Sequence, residues 1–284
     1  MFLPANGPID LGHTLESGQT FRWRGGGGEH EGIVAGNVFR VRAAKGGVEF
    51  DSSPASPETV APLARSYLRL DDDLEAFYGA VAGDPRLTEA AVSYRGLRLA
   101  RQDPWECLVT FVISSYSNIK RITKHIEDIA TAFGDPIPGH MGRYAFPGPR
   151  ALAEVSEEEF RRMGLGYRAR FLTTIARDVL EMPHGLLALR GTPYDEAKAT
   201  MLGFYGVGEK VADCVLAFSL DQPLAFPVDV WVRRAVREWY FDGATVTDRR
   251  VREWAADHFG EHASYAQQYL FHRRRLVGKQ PPAE

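Results

Sequence analysis

The sequence is short of several things that would place it at once. Among its 284 residues are only two cysteines, Cys107 and Cys214, each in an apolar helical context (PWECLVTF and VADCVLAF). Two such thiols exclude a disulfide framework and a four-cysteine metal or iron–sulfur site. No apolar run reaches the ~18 to 20 residues of a membrane span, so no membrane partner is expected. The opening MFLPANGPIDLGH lacks the basic-then-apolar layout of a secretion signal, which implies a cytoplasmic chain, nucleoid-associated in a prokaryote. A basic excess is missing too. Lys and Arg number 34 against 37 Asp and Glu, a net charge of −3, and read alone this argues against an electrostatic nucleic-acid binder. Whole-chain charge does not say where charge lies, so that objection stays open. What is present is an ordinary globular balance, 44% hydrophobic and 25% charged, enough for about two compact domains.

The first fifty residues read as short strands, TFRW, HEGIVA, VFRVR and VEF, separated by GGGG, AGN and KGG turn signals. Gly25 to Gly28 read as a hairpin tip; no Lys-Ser/Thr follows to make a phosphate loop. From about Pro57 the apolar period becomes helical, and Asp103-Pro104 has the form of an N-cap followed by proline at the first helical position. Further helices follow to the C-terminal end. The pattern predicts an α+β chain: a small N-terminal antiparallel β-sheet domain with flanking helices (1–92), packed on a larger all-helical body (93–284) that contains a helix–hairpin–helix at about 194–220.

The chemistry concentrates in MLGFYGVGEKVADCVLAFSLDQPLAFPVDVWV, Met201 to Val232. Gly206, Val207 and Gly208 sit between two helical patterns, where backbone N–H groups at the start of the second helix form a phosphate cradle. A plain helix–turn–helix corner explains G-V-G equally well. Lys210 falls in the first turn of that second helix, an electrostatically odd place for a cation. The same field, with partial burial, favours the neutral amine that acts as a nucleophile, although most lysines are simply solvated. Cys214 shares its helical face and by default is a small core residue. Asp229, in Phe226-Pro227-Val228-Asp229, reads as an N-cap or as a carboxylate facing Lys210. Amine and carboxylate around one cleft suit displacement at a sugar carbon, through an oxocarbenium-like state.

G-V-G-E-K-V-A-D-C followed by P-V-D resembles the helix–hairpin–helix DNA glycosylases. The resemblance sharpens to the 8-oxoguanine DNA glycosylase/lyases through SGQTFRW (Ser17 to Trp23), YRGLRLARQDPWECL (Tyr94 to Leu108), SSYSNIKRI (Ser114 to Ile122), MGLGYRAR (Met163 to Arg170) and YAQQYLF (Tyr265 to Phe271). It implies a base-excision-repair enzyme acting on double-stranded DNA containing 8-oxoguanine. Lys210 would attack C1′ and form a Schiff base that also permits β-elimination, and Asp229 would stabilise the sugar cation. Cys214 and Phe271 match the residues that sandwich the flipped base, Gln267 the one at its Watson–Crick edge, and Gly18 the glycine whose carbonyl accepts N7–H. Guanine has a lone pair at N7 and 8-oxoguanine has N7–H, so a fixed carbonyl discriminates sharply. Tyr167 and Arg168 match the wedge and an arginine reading the opposite base, and Arg121 the second such arginine; without the resemblance they read as a surface aromatic and phosphate contacts.

The chain departs from the family in three places. Tyr116-Ser117-Asn118 stands where eukaryotic members usually have three asparagines, and Tyr116 cannot copy an amide's hydrogen bonds to an orphan cytosine. A weaker preference for cytosine opposite the lesion is expected. Trp231 stands where a histidine often follows Pro-Val-Asp, and Tyr205 replaces the usual hairpin proline. An alkylated-base glycosylase of the same superfamily keeps the aspartate but lacks the lysine, and a non-catalytic helix–hairpin–helix module needs neither. The chemistry calls for no cofactor and no metal; a structural cation on hairpin carbonyls is left open, and a monomer is expected.

The resemblance also bears on charge. Residues 95–125 carry six basic residues against Asp103 and Glu106, residues 161–177 carry five arginines and no acid, and residues 266–279 carry three arginines and Lys279. These segments hold +13 between them, leaving −16 elsewhere. The family alignment would gather them around one cleft, predicting a one-faced binder with an acidic back.

Overall fold

The computed structural model describes residues 1–277. Lys279, and with it the last seven residues of the 93–284 body, lies outside the described residues. Strand β1 (Phe2–Pro4) and helix α1 (Leu11–Leu15) precede β2 (Trp23–Gly26), β3 (Glu29–Val34), β4 (Asn37–Ala44) and β5 (Gly47–Ser53). The five strands form an antiparallel sheet in the order β1-β5-β4-β3-β2, with Val41 opposite Phe50 and Gly32 opposite Phe39. Phe39 and Val41 bury one face of β4 while Arg42 stays exposed, the alternation a half-covered sheet requires.

Two details differ from the sequence expectation. The edge strand β1 carries no recognisable alternation over three residues, one of them proline, and was not anticipated. Of TFRW only Trp23 lies in a strand. Thr20 and Arg22 use their side chains elsewhere: Thr20 Oγ1 donates to the Leu15 carbonyl, and Arg22 reaches Glu127 and the Tyr144 carbonyl in the body. The 16–22 segment is thereby held as a loop against the helices, with Gly18 inside it.

The helices run α2 (Pro57–Tyr67), α3 (Leu74–Ala80), α4 (Pro85–Ser93), α5 (Pro104–Ser114), α6 (Ile119–Phe133), α7 (Pro149–Ala153), α8 (Glu157–Arg162), α9 (Arg168–Leu180), α10 (Tyr194–Gly203), α11 (Glu209–Ser219), α12 (Val230–Tyr240), α13 (Asp248–Phe259) and α14 (Ala263–Val277). Their starts are chemically marked. Asp103 caps α5 ahead of Pro104, and Asn118 caps α6, each side-chain oxygen accepting a first-turn N–H.

Three large buried clusters result, beside a small one of Ile33, Val38 and Ile137. One joins the sheet to α2 through Phe39, Phe50, Ala64 and Leu68. A second, the largest, is built by α5, α6, α9 and α11 around Phe111, Ile126, Leu172 and Leu216. The third gathers α12, α13 and α14 around Val232, Val251 and Leu270, and it includes Phe77 and Leu87. Helix α3 and all but the last residue of α4 thus lie within residues 1–92, yet both bury their apolar faces in the helical body. The seam between the second and third clusters is where the cavity opens.

The sheet unit and the body are tied at Asp221, just past α11. Arg69 and Arg101 both meet its Oδ1 and Arg190 meets its Oδ2 at 3.2 Å. Arg98, fully buried, binds the carbonyls of Asn6, Pro8, Arg69 and Asp72.

Candidate active site

A cavity of about 620 Å³ is lined by α5, the 16–22 loop, the N-termini of α6 and α12, α11 and α14. Gly18, Asn118, Lys210, Cys214, Asp229, Gln267 and Phe271 all face it, so seven candidates scattered over 250 residues meet in one place.

Lys210 is half-buried in the first turn of α11. Its Nζ donates to Ser114 Oγ at 2.9 Å and sits 5.0 Å from the centre of the Phe111 ring. Cys214, one turn further on, also lines the cavity. Burial pushes its thiol up to about 12, and the neighbouring Lys210 pulls against this. Cys214 is therefore a neutral thiol at working pH, a soft apolar wall. Asp229 caps α12, with Oδ1 accepting the Val232 N–H at 2.8 Å. Burial raises its carboxyl above the usual range, while the Val232 N–H and Lys210 act in the opposite direction. Cap and cavity carboxylate are the same group; the two readings of Asp229 are compatible.

Two buried side-chain oxygens lining the cavity have no partner among the described residues, Gln267 Oε1 and Ser117 Oγ. Gln267 is 4% exposed; its Nε2 donates to the Pro227 carbonyl at 3.1 Å, and its Oε1 is buried without a partner. Half-buried Phe271 lines the wall one turn further along α14. Gly18 has φ +93°, a region that rejects most side chains, and a Cβ there would stand 3.3 Å from Ile119 and 3.7 Å from Phe271. Gln268, buried, donates to Ser17 Oγ and so fixes the loop that carries Gly18. Neither Gln268 nor Ser114 nor Arg275 was singled out from the sequence, though all three line the cavity.

Of the remaining candidates, Tyr116, Arg121, Tyr167 and Arg168 sit outside the cavity. Tyr116 is 95% exposed with φ +50°, an unusual backbone for a bulky residue. Arg168 holds that loop, donating through Nε to the Ser115 carbonyl at 3.0 Å and through Nη2 to the Tyr116 carbonyl. The same guanidinium lies 4.6 Å from the centre of the Tyr167 ring, joining two exposed tyrosines. Asn118 spends its Oδ1 on the α6 cap, and Arg121 is exposed beside it. Trp231 lines the cavity, with Arg234 5.8 Å from its ring centre.

At the hairpin, Gly206 has φ +86°, and its missing Cβ would fall 2.4 Å from the Phe171 ring. Phe171 packs edge-on to both Tyr167 and Tyr205, so Tyr167 and the hairpin share one aromatic row. Val207 is buried, and Gly208 caps α11 without any side-chain bond, leaving first-turn N–H groups open on an exposed surface.

Charge by segment overstated the basic face. Arg98 is buried, Arg101 is bound to Asp221, and Arg95 is paired with Glu75. Arg273 and Arg274 pair with Glu89 and Glu238, and Arg161 pairs with Glu157. Counting along the chain cannot separate a guanidinium folded inward from one that faces phosphate. Lys120, Arg121 and Arg170 remain exposed near the cavity mouth and the hairpin.

Comparison with known proteins agrees with this geometry. Residues 2–108 match the 8-oxoguanine DNA glycosylase N-terminal domain, and residues 109–259 match the HhH-GPD superfamily of base excision DNA repair proteins. The chain is 35% identical to the N-glycosylase/DNA lyase OGG1 of Arabidopsis thaliana, over 93% of this chain and 79% of that protein. It is 32% identical to a probable N-glycosylase/DNA lyase of Methanothermobacter thermautotrophicus, over 96% of this chain and 95% of that protein. The solved structure of Clostridium acetobutylicum 8-oxoguanine glycosylase/lyase, in complex with double-stranded DNA containing cytosine opposite 8-oxoG, superposes with a TM-score of 0.89 at 28% identity, covering 98% of each chain. With a lysine and a carboxylate around one cavity beside a bare hairpin, this chain belongs to the 8-oxoguanine DNA glycosylases of the helix–hairpin–helix base-excision repair superfamily.

Proposed function

We propose that this chain excises 8-oxoguanine from duplex DNA and nicks the strand at the resulting site, with Lys210 as nucleophile and Asp229 as the charge that steadies the sugar. The observation that carries the reading is the convergence of Lys210, Asp229 and the open Gln267 acceptor on one cavity. The Lys210 amine bonds to C1′ as the C1′–N9 bond breaks. The electron pair leaves with the base, and the proton shed by the amine neutralises it. Ring opening gives the imine. Loss of a C2′ proton then expels the 3′ phosphate, and water releases the lysine. Asp229 offsets positive charge on the sugar during the first of these steps.

The pocket chemistry supports the base assignment. An acceptor at Gln267 Oε1 suits the N1–H and N2–H₂ donors of a guanine edge, and no intramolecular hydrogen bond claims the Gly18 carbonyl among the described residues. Cys214 and Phe271 supply flat apolar walls for the ring. The open hairpin N–H groups hold a phosphate, Tyr167 refills the stack after the base is extruded, and Arg121 and Arg168 face the orphan base. Amine and carboxylate suffice, so no cofactor enters.

Borohydride trapping tests the assignment. Duplex with 8-oxoguanine opposite each of the four bases should give a covalent adduct that Lys210→Gln abolishes. No adduct with any pairing would defeat the reading, and an adduct that survives in Lys210→Gln would move the nucleophile elsewhere.

A further inference from the structure

Arg275 is a buried cation lining the cavity that has no carboxylate partner among the described residues. It is 9% exposed, one turn beyond Phe271 and two beyond Gln267 on α14. Its Nη2 donates to the Glu16 carbonyl at 3.1 Å, and its guanidinium carbon lies 5.7 Å from the Phe271 ring centre. Nη1 lies 3.1 Å from the position a Cβ on Gly18 would take. Nε is buried with no partner, and no carboxylate reaches the group among the described residues. Its neighbours Arg273 and Arg274 both have carboxylates. A guanidinium does not shed its proton in a protein, so a buried one without a counterion awaits an acceptor from outside.

The order of groups along α14 says which acceptor. Gln267, Phe271 and Arg275 recur every four residues and therefore follow one face of the helix. On the proposed reading, on which this inference rests, Gln267 meets the edge of the six-membered ring and Phe271 the ring face. The Gly18 carbonyl takes N7–H. Arg275, beyond Phe271 and beside Gly18, then lies at the end of the five-membered ring, next to N7. The only acceptor a damaged guanine adds there is the C8 carbonyl.

We infer that Arg275 donates to O8 of the flipped base, making it a second discriminating contact beside Gly18. Guanine offers C–H at that position and leaves the cation unsatisfied, so Arg275 penalises the undamaged base as well as rewarding the lesion. The contact strengthens during reaction. As the C1′–N9 bond breaks, the electron pair on the departing base spreads from N9 onto O8, and a fixed guanidinium one bond away stabilises that charge.

The test exchanges one atom of the base against one residue of the protein. Single-turnover excision is measured on duplex carrying 8-oxoguanine or its 8-thio analogue, in which a weak sulfur acceptor replaces O8 and N7–H is kept. The wild-type protein should prefer oxygen by about tenfold. Arg275→Met should slow the oxygen substrate about tenfold and the sulfur substrate far less, erasing the preference. If Arg275→Met slows both by the same factor, or neither, the residue only props Phe271 and Gly18, and the inference is overturned. A melting curve checks folding; should Arg275→Met fail to fold, Arg275→Lys carries the same comparison and should retain part of the preference, with equal slowing of both substrates again overturning it. Failure of the functional reading itself looks different: the wild-type protein would then give no Lys210-dependent adduct on 8-oxoguanine duplex at all.

Discussion

The junction at Asp221 and the cavity around Lys210 both bury charge, and they treat it in opposite ways. At the junction one carboxylate is shared by Arg69, Arg101 and Arg190, so each guanidinium has an acid. In the cavity Gln267 Oε1 and Arg275 Nε are buried and unpaired, and Lys210 has only a hydroxyl and an aromatic face. The first arrangement ends within the protein. The second is completed only by a ligand. Leaving a polar group unsatisfied costs folding free energy, so such groups mark where stability has been given up for recognition.

Substitutions should separate the two regions. Lys210→Gln should lower excision and strand nicking on the order of 10³-fold or more while leaving the melting temperature nearly unchanged, as single-turnover kinetics and calorimetry would report. Asp221→Asn should do the reverse. It keeps shape and tolerates the φ of +54° at that position, yet it takes the acid from Arg101 and Arg190 and leaves Arg69 only Asp72. A loss of about 3 kcal/mol in urea unfolding is expected, toward the low end for a buried pair because the carboxylate is partly exposed, with excision by the folded fraction unchanged. If Asp221→Asn lost activity without stability, the contrast between the regions would collapse.

Acid should sharpen it further. Burial and the neighbouring His13 hold His272 down to about 4, against an ordinary histidine value of 6.5. The unfolded chain therefore takes up this proton first as pH falls. The stability His272 contributes is present above pH 6.5 and is lost as pH falls through about 4, by a few kcal/mol at most. In His272→Leu the acid limb of stability against pH should be shallower across that window. Glu106 runs the other way: burial raises it to about 7, and its contribution fades as pH rises from 4.5 through 7. Gly18→Ala should destabilise by about 1–2 kcal/mol through its backbone conformation alone, while reducing the preference for 8-oxoguanine over guanine in competition binding. The smallest effect is expected of Tyr116→Asn, which should raise the preference for cytosine opposite the lesion a few-fold without altering the melting curve.

What could be read in advance follows from distance along the chain. Gly206, Gly208, Lys210, Cys214 and Asp229 lie within one hairpin and the next cap, so helical spacing alone brings most of them together. The polar pattern of β3 to β5 and the Asp103 and Asn118 caps were legible for the same local reason. Arg275, Gln268 and Ser114 were not, because each acquires its role from an element far away: Arg275 from the Glu16 carbonyl, Gln268 from Ser17, Ser114 from Lys210. The same holds for charge. Arg98 and Arg101 count as basic residues of a contact segment until the fold turns them inward.

The aromatic row from Tyr167 through Phe171 to Tyr205, with Gly206 pressed against its middle member, fixes a length. Tyr167 and the hairpin, the two points that on the proposed reading enter the base stack and grip the backbone, cannot slide relative to each other without unpacking Phe171. On that reading the protein carries a rigid ruler between two stations on the duplex. A duplex held at both would have to present its extruded base and its gripped phosphate at that one separation.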